Sequence, residues 1–366
     1  MKKSIFLLIL LISIISCRTD NTTIETDFDN AENKEIELLY NQAQKEGNEI
    51  TVWGGGDDPG ELNWIKSEWE KDFPKIKMNI RVDLSKFLDV EIDDQLTNNN
   101  LTPDIVHIQT LHDFYRWKNQ GVLENFKPVQ WDKIPDDIKD QDGAFTPVFM
   151  VTFAMLVNRN KVNSTPKSYT DILQPAYKDN LMLTYPHDDD AVLYLYKKIV
   201  DQYGWDFIDK LIQQNPKWIR GTAAPAYQVA KGNVLGTIGA AGVFDKSKDS
   251  NAEVVLPVKD PFLTWAQTSA IFKISKHKAA AKLYMTWLLS KKIQSIWSEW
   301  SVRTDMPNKS GYPSYRNYPN TSPTDFTKFM LDRSSVESFS KAMEAKIGPI
   351  KGGSPLTDPD ILELLK

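Results

Sequence analysis

Between Glu49 and Lys118 the hydrophobic pattern switches repeatedly between strand and helix periods, and this constrains the fold more than any other feature. Glu49-Ile50-Thr51-Val52-Trp53 reads as a strand turned by Gly54-Gly55-Gly56. Leu62 to Phe73 reads as a helix with Trp64, Ile65, Trp69 and Phe73 on one stripe, stopped by Pro74. Lys77 to Val82 is a second strand, Val90 to Thr97 a helix, Pro103 to Ile108 a third strand, and Leu111 to Lys118 a helix leading to Gly121. This βαβαβα order predicts an α/β chain with a parallel sheet and crossover helices. At about 150 residues per domain, 366 residues suggest two domains.

The apolar run Phe149 to Val157 (FMVTFAMLV) suits a long buried strand that passes between those domains. Beyond it, strands are expected at Met182–Tyr185, Asn233–Ile238 and Glu253–Leu256, the last bringing the chain back. Helices are expected at Glu35–Glu46, Ala191–Tyr203, Trp205–Asn215, Tyr227–Lys231, Ala279–Ile296, Pro323–Asp332 and Ser335–Ile347.

Composition narrows the function. With 44 Lys+Arg against 49 Asp+Glu, the net charge is -5, which argues against nucleic acid as a partner because phosphate neutralisation needs a basic face. A single Cys excludes a disulfide framework and a Cys-based zinc cluster. No Gly-x-Ser-x-Gly, His-Glu-x-x-His or phosphate-loop pattern occurs. The loop Gly54-Gly55-Gly56-Asp57-Asp58-Pro59-Gly60 lacks the third glycine of a dinucleotide fingerprint and puts two carboxylates where phosphate would lie, so it reads as a permissive turn lining a cleft.

The one cysteine ends a segment that opens with Lys2 and Lys3 and runs apolar from Ser4 to Ser16. That is a secretory signal, too short to span a bilayer, which takes about 20 apolar residues. Ile14-Ile15-Ser16-Cys17 resembles the bacterial lipobox, with Ile14 where Leu is commonest; the other reading is an ordinary signal with a chance cysteine. The resemblance implies residues 1–17 as a lipoprotein signal, cleavage before Cys17 and an acyl anchor of diacylglycerol and palmitate type. Residues 18–34 are polar and aperiodic and are expected to be a flexible tether.

From Glu49 to Gln109 the layout of an EITVW strand, a polar glycine loop and PDIVHIQ resembles the bacterial extracellular solute-binding proteins. The stretch Tyr169–Lys178, the strand and helix Leu183–Tyr196, Tyr203-Gly204-Trp205, Lys231-Gly232-Asn233 and Ala279–Ser290 resemble the ferric-iron and small-solute subgroup of type II periplasmic binding proteins. The resemblance covers residues 48 to 350. It implies a two-lobe fold with the ligand in the cleft, lobe 1 from 35–152 and 258–366 with the C-terminal helices, and lobe 2 from 153–257. It further implies a monomeric, lipid-anchored receptor in the periplasm or on the cell surface, without cofactor or catalysis, handing a small molecule to an ABC permease. The alternatives are a surface lipoprotein enzyme such as a glycan hydrolase, and a ferric-iron protein with a non-standard site, since the adjacent tyrosine pair of the iron binders has no match near Gly239 to Phe244.

Open α/β sheets bind ligands beyond the carboxyl ends of their strands, and this selects the contact residues. Asp57 and Asp58 follow the first strand, with helix-terminus charge as their other reading. Gln109 and Thr110 follow the third, while His107 inside it reads as a core histidine. Tyr185, His187 and Asp188 lie in the loop that lines the cleft of the resembled family. Arg220 offers a fixed cation for a ligand or for Asp188 to Asp190, and Thr222, Trp265 and Arg303 complete the set. Three aspartates at 188–190 favour a cationic or polyhydroxyl solute over a simple anion, although a bare helix N-terminus would suit an anion.

Overall fold

A computed structural model describes residues 21–244, 251–309 and 311–366. The leader and Cys17 lie outside the described residues. Helix α1 (Asn21–Ala43) precedes β1 (Glu49–Gly55), α2 (Asn63–Asp72), β2 (Lys77–Asp83), α3 (Ser85–Thr97), β3 (Ile105–Ile108) and α4 (Leu111–Gln120). The long strand β4 (Thr146–Asn158) leads to β5 (Met182–Thr184), α5 (Asp190–Tyr203), α6 (Trp205–Gln213), β6 (Lys217–Ile219), α7 (Ala223–Lys231), β7 (Gly236–Ala240) and β8 (Ala252–Val255). Strand β9 (Leu263–Ile271) returns the chain to α8 (Lys278–Leu288), α9 (Lys291–Ile296), α10 (Asp325–Leu331), α11 (Arg333–Ile347) and α12 (Pro359–Leu365).

The expected parallel arrangement holds for β1, which pairs in parallel with both β2 and β3. Strand β9 then adds antiparallel to β3 and to β4, so the sheet is mixed. Strand β4 carries two neighbourhoods. Its residues 146–153 pair with β9, and its residues 154–158 pair with β7 and β8. Alternation along β1 separates two cores: Ile50 and Val52 join Trp69, Tyr284 and Trp287 on one face, while Trp53 joins Leu88, Phe114 and Trp117 on the other. A parallel pair β5–β6 is bridged to β7 at Leu181 and Gly236; α7 packs on β5 and β7, and α5 packs on β7.

Four expectations are corrected. Residues 21–34 are not a tether but part of α1, because its carboxylates find partners: Glu35 accepts from the Val129 N–H at 2.8 Å and Glu32 pairs with Arg303 at 2.8 Å. The single helix expected over Ala279–Ile296 breaks at Leu289, where Ser290 caps α9 by accepting from the Ile293 N–H at 3.3 Å. Residues 258–366 do not all go with residues 35–152: α11 packs on α5 and α6, and α12 on α7. The sequence pattern does not mark β9, because Gln267, Thr268 and Ser269 interrupt its apolar run.

Arg303 is the fourth. Its side chain is fully enclosed, donating to Glu32, to both oxygens of Asp305 and to the Leu289 carbonyl. It ties α1 to the end of α8 and does not line the cleft. Breaking a buried ion pair leaves an uncompensated charge, so Arg303→Met is expected to lower unfolding stability by about 3–5 kcal/mol in urea denaturation. Solute affinity per folded molecule is expected to be unchanged.

Candidate functional site

The turn after β1 is built without side chains because none would fit. A Cβ at Gly54 would lie 2.3 Å from Leu62 and 2.7 Å from His107 Nε2, and one at Gly55 would lie 2.1 Å from Ser85 Oγ. Close approach, rather than left-handed backbone, therefore fixes these glycines. Their compactness lets Asp57 and Glu61 reach a cavity of about 180 Å3. It is lined by Asp57, Glu61, Ser85, His107 and Gln109 on one side and by Asp189 and Thr222 on the other. Trp64, Phe149, Phe153, Trp265 and Trp297 supply its apolar walls. The Phe149 and Trp297 ring centroids are 4.6 Å apart, and Trp64 lies 5.8 Å from Phe149. Phe153 meets Trp265 edge-on at 4.9 Å.

Hydrogen bonds cross this cavity. Asp57, buried, accepts from the Thr222 N–H, from Thr222 Oγ1 at 3.0 Å and from the Ala223 N–H at 3.2 Å. It therefore caps α7, a helix 165 residues away, and satisfies amide donors that the helix itself leaves unpaired. Gln109 donates to Asp189 at 3.1 Å. Asp189 in turn caps α5, accepting from the Ala191 and Val192 N–H groups at 2.9 Å. Lys86 donates at 2.6 Å to Asp188, which also holds Arg220 through two bonds of 2.8 and 3.1 Å.

Charge on the cavity wall is mostly one sign. Burial, helped by the charge of Asp189, pushes the Asp57 carboxyl up to about 6 in spite of its donors. Glu61, which accepts from the Asp57 N–H at 3.0 Å, is raised further by its enclosure and by Asp57. Solvent reaches Glu61 through the cavity and moderates this effect. Burial also raises Asp189. Burial acts to raise Asp188 too, but Arg220 and Lys86 outweigh it and hold that carboxyl below the usual range. Burial lowers His107 to about 4, so the ring is neutral near pH 7.

Of the residues expected to touch ligand, Asp57, Gln109, Thr222 and Trp265 line the cavity. Asp58 lies at its edge, accepting from the Gly60 N–H at 2.7 Å and from the Tyr227 hydroxyl at 3.3 Å. Thr110 is buried at the start of α4, off the wall. Asp188 and Arg220 neutralise each other beside the cavity. Tyr185 stacks on Trp218, and His187 packs on Tyr185, so both brace that loop from behind. Glu61, Ser85, Asp189 and the aromatic group of Trp64, Phe149 and Trp297 were not selected from the sequence. The aromatics carry the same apolar periodicity as core residues, and only the fold turns them toward a void.

A family profile described as bacterial extracellular solute-binding protein matches residues 100–321. No curated protein sequence matches the chain. Among solved structures, iron-bound HitA from Pseudomonas aeruginosa superposes with a TM-score of 0.62 at 16% identity, covering 81% of this chain and 99% of that one. The periplasmic binding protein AfuA from Actinobacillus pleuropneumoniae, with fructose-6-phosphate bound, gives 0.65 at 16% identity over 82% and 99%. A substrate-binding protein of an ABC transporter from Agrobacterium tumefaciens gives 0.70 at 12% identity over 82% and 94%. The mixed α/β architecture is thus the two-lobe fold of periplasmic binding proteins.

The raised carboxyl of Glu61 has a consequence for stability. A carboxyl whose folded value lies above its unfolded one favours folding most below the unfolded value of 4.5, and that contribution is lost as pH rises through the folded value. Glu61→Gln removes the titration while keeping the size. The variant is expected to match the wild type at pH 4 and to melt at a progressively higher temperature than the wild type as pH rises toward 8. A constant difference across that range would contradict the assignment.

Proposed function

Because the chain belongs to the bacterial extracellular solute-binding protein family, we propose that it is the receptor of an ATP-driven importer, capturing a small solute between two lobes and delivering it unchanged to a membrane permease. The observation that carries this is the set of hydrogen bonds across the cavity. Asp57 to α7, Gln109 to Asp189 and Lys86 to Asp188 join two groups of elements that meet otherwise around β4 and β9. Such bonds form only when the lobes are closed, and a solute that touches both walls would add to them. Hinged lobes linked by a few crossing strands interconvert between open and closed forms in this way.

In this reading the lobes divide near Phe153 on β4 and again near Pro257. Lipid attachment at Cys17 would hold the receptor at the membrane, in the periplasm or on the cell surface, and the receptor acts as a monomer. Ligand capture needs no catalytic group, and no enzymatic step is assigned.

Small-angle scattering tests the closure. Protein carrying its co-purified solute is expected to be more compact than the same protein after unfolding, dialysis and refolding. Identical radii of gyration, with native mass spectrometry confirming loss of the solute, would contradict it. Asp57→Ala removes the inter-lobe cap, which is worth about 0.5–2 kcal/mol, so affinity for that solute is expected to fall roughly 2- to 30-fold in calorimetry.

A further inference from the structure

We infer that the captured solute is an organic cation, an amine or quaternary ammonium group whose charge faces Asp57, Glu61 and Asp189 while its carbon skeleton lies against Trp64, Phe149 and Trp297. This rests on the solute-capture reading and names the class of solute.

Three observations lead there. The first is the charge of the wall. Among the described residues lining the cavity, three are carboxylates and none is Lys or Arg. The two nearby cations, Lys86 and Arg220, are both engaged by Asp188. The hydrogen bonds reaching Asp57 and Asp189 come from backbone amides, a hydroxyl and an amide side chain, all neutral. Asp57 and Asp189 are therefore satisfied as acceptors and still lack a contacting cation, a state that disfavours their ionised forms away from bulk water, while Glu61 adds a third carboxylate where solvent reaches the cavity.

The second observation is the aromatic wall. Ring faces attract a diffuse, weakly hydrated cation such as a quaternary ammonium and add apolar contact for its methyl or methylene groups. A bare metal ion would gain little there, since hard cations want oxygen ligands on most sides. Ferric iron held by phenolates is not supported, because none of the described lining residues is a tyrosine. A sugar phosphate would meet three carboxylates with no guanidinium or ammonium to hold it.

The third is His107, which is 3% exposed and lines the cavity with an Nε2 that has no hydrogen-bond partner. Held neutral by burial, it brings no competing positive charge and leaves a polar atom in reach of a ligand hydroxyl or amine. The cavity therefore has a built, unsatisfied polar group in addition to its carboxylates.

A dependence on pH follows with a definite sign. The titratable and charged groups facing the three carboxylates are Asp58 in the turn after β1, Tyr227 on α7, and Lys86, Asp188, Asp190 and Arg220 around Asp189. His107 completes the set behind the glycine loop. The change between pH 5 and 8 comes from the raised cavity carboxyls losing protons. A cationic ligand binds the ionised carboxylates, and its affinity rises with pH. An anionic ligand would show the reverse.

The test uses the refolded, solute-free protein and four cations: choline, tetramethylammonium, benzyltrimethylammonium and putrescine. The neutral analogue of choline, 3,3-dimethylbutan-1-ol, is the matched control, and fructose 6-phosphate and ferric citrate are the opposing probes. At least one of the four cations is expected to raise the melting temperature and to bind in calorimetry more tightly at pH 8 than at pH 5. The neutral alcohol is expected to bind at least ten-fold more weakly than choline wherever choline binds. For the cation that binds, Glu61→Gln is expected to weaken affinity roughly ten-fold at pH 8 and to flatten the pH dependence. Trp297→Leu, away from the carboxylates, is expected to weaken binding without changing that pH dependence. Binding of fructose 6-phosphate or ferric citrate with no response to any cation would overturn the inference while leaving solute capture intact. Silence toward every probe would overturn it, and the presence or absence of a co-purified solute would then decide separately whether solute capture stands.

Discussion

A single carboxylate at the wrong address organises this molecule. Asp57 belongs to the turn after β1, yet its oxygens sit on the first amides of α7. A helix start leaves N–H groups unpaired and carries a partial positive charge, so a carboxylate there is favourable by both hydrogen bonding and the helix dipole. Because the cap comes from another part of the chain, the two parts are held together by it. The same device recurs at α5, where the local cap Asp189 is gripped from across the cavity by Gln109.

The cost of this arrangement is buried negative charge. Asp57 and Glu61 face Asp189 across one cavity, and desolvation raises all three carboxyls, although solvent still reaches Glu61. Asp188 shows what the alternative looks like: beside Arg220 and Lys86 it is held low, as a paired carboxylate should be. A site that leaves three acids without a counterion and surrounds them with indole and phenyl rings is shaped for something positive and partly apolar to complete it. The glycine turn makes this possible, since a methyl group at Gly55 would run into Ser85 and push the loop away from the cavity.

Much of this was legible in the sequence, and the failures have physical causes. The strand-helix alternation from Glu49 to Lys118 gave the parallel β2-β1-β3 core, since local periodicity follows directly from side-chain direction. Strand-end logic picked Asp57, Gln109 and Thr222 out of 366 residues. It could not show that Asp57 would meet Thr222, because pairing across 165 positions is a tertiary fact. Arg303 looked like a cleft cation because an arginine following two tryptophans reads the same whether its partner is a ligand or Glu32. The acidic stretch before Lys34 looked like a tether because composition does not reveal that a carboxylate has a buried guanidinium waiting for it.

The central claim is that the Asp57 cap is made in the closed, solute-bound protein and broken when the solute leaves. Amide hydrogen exchange at Thr222 and Ala223 reads that bond directly, since those N–H groups have Asp57 as their acceptor. Strong protection in the solute-loaded protein and its loss in the emptied protein is the predicted result. Equal protection in both, or protection that survives Asp57→Ala, would show that the lobes do not close through this contact.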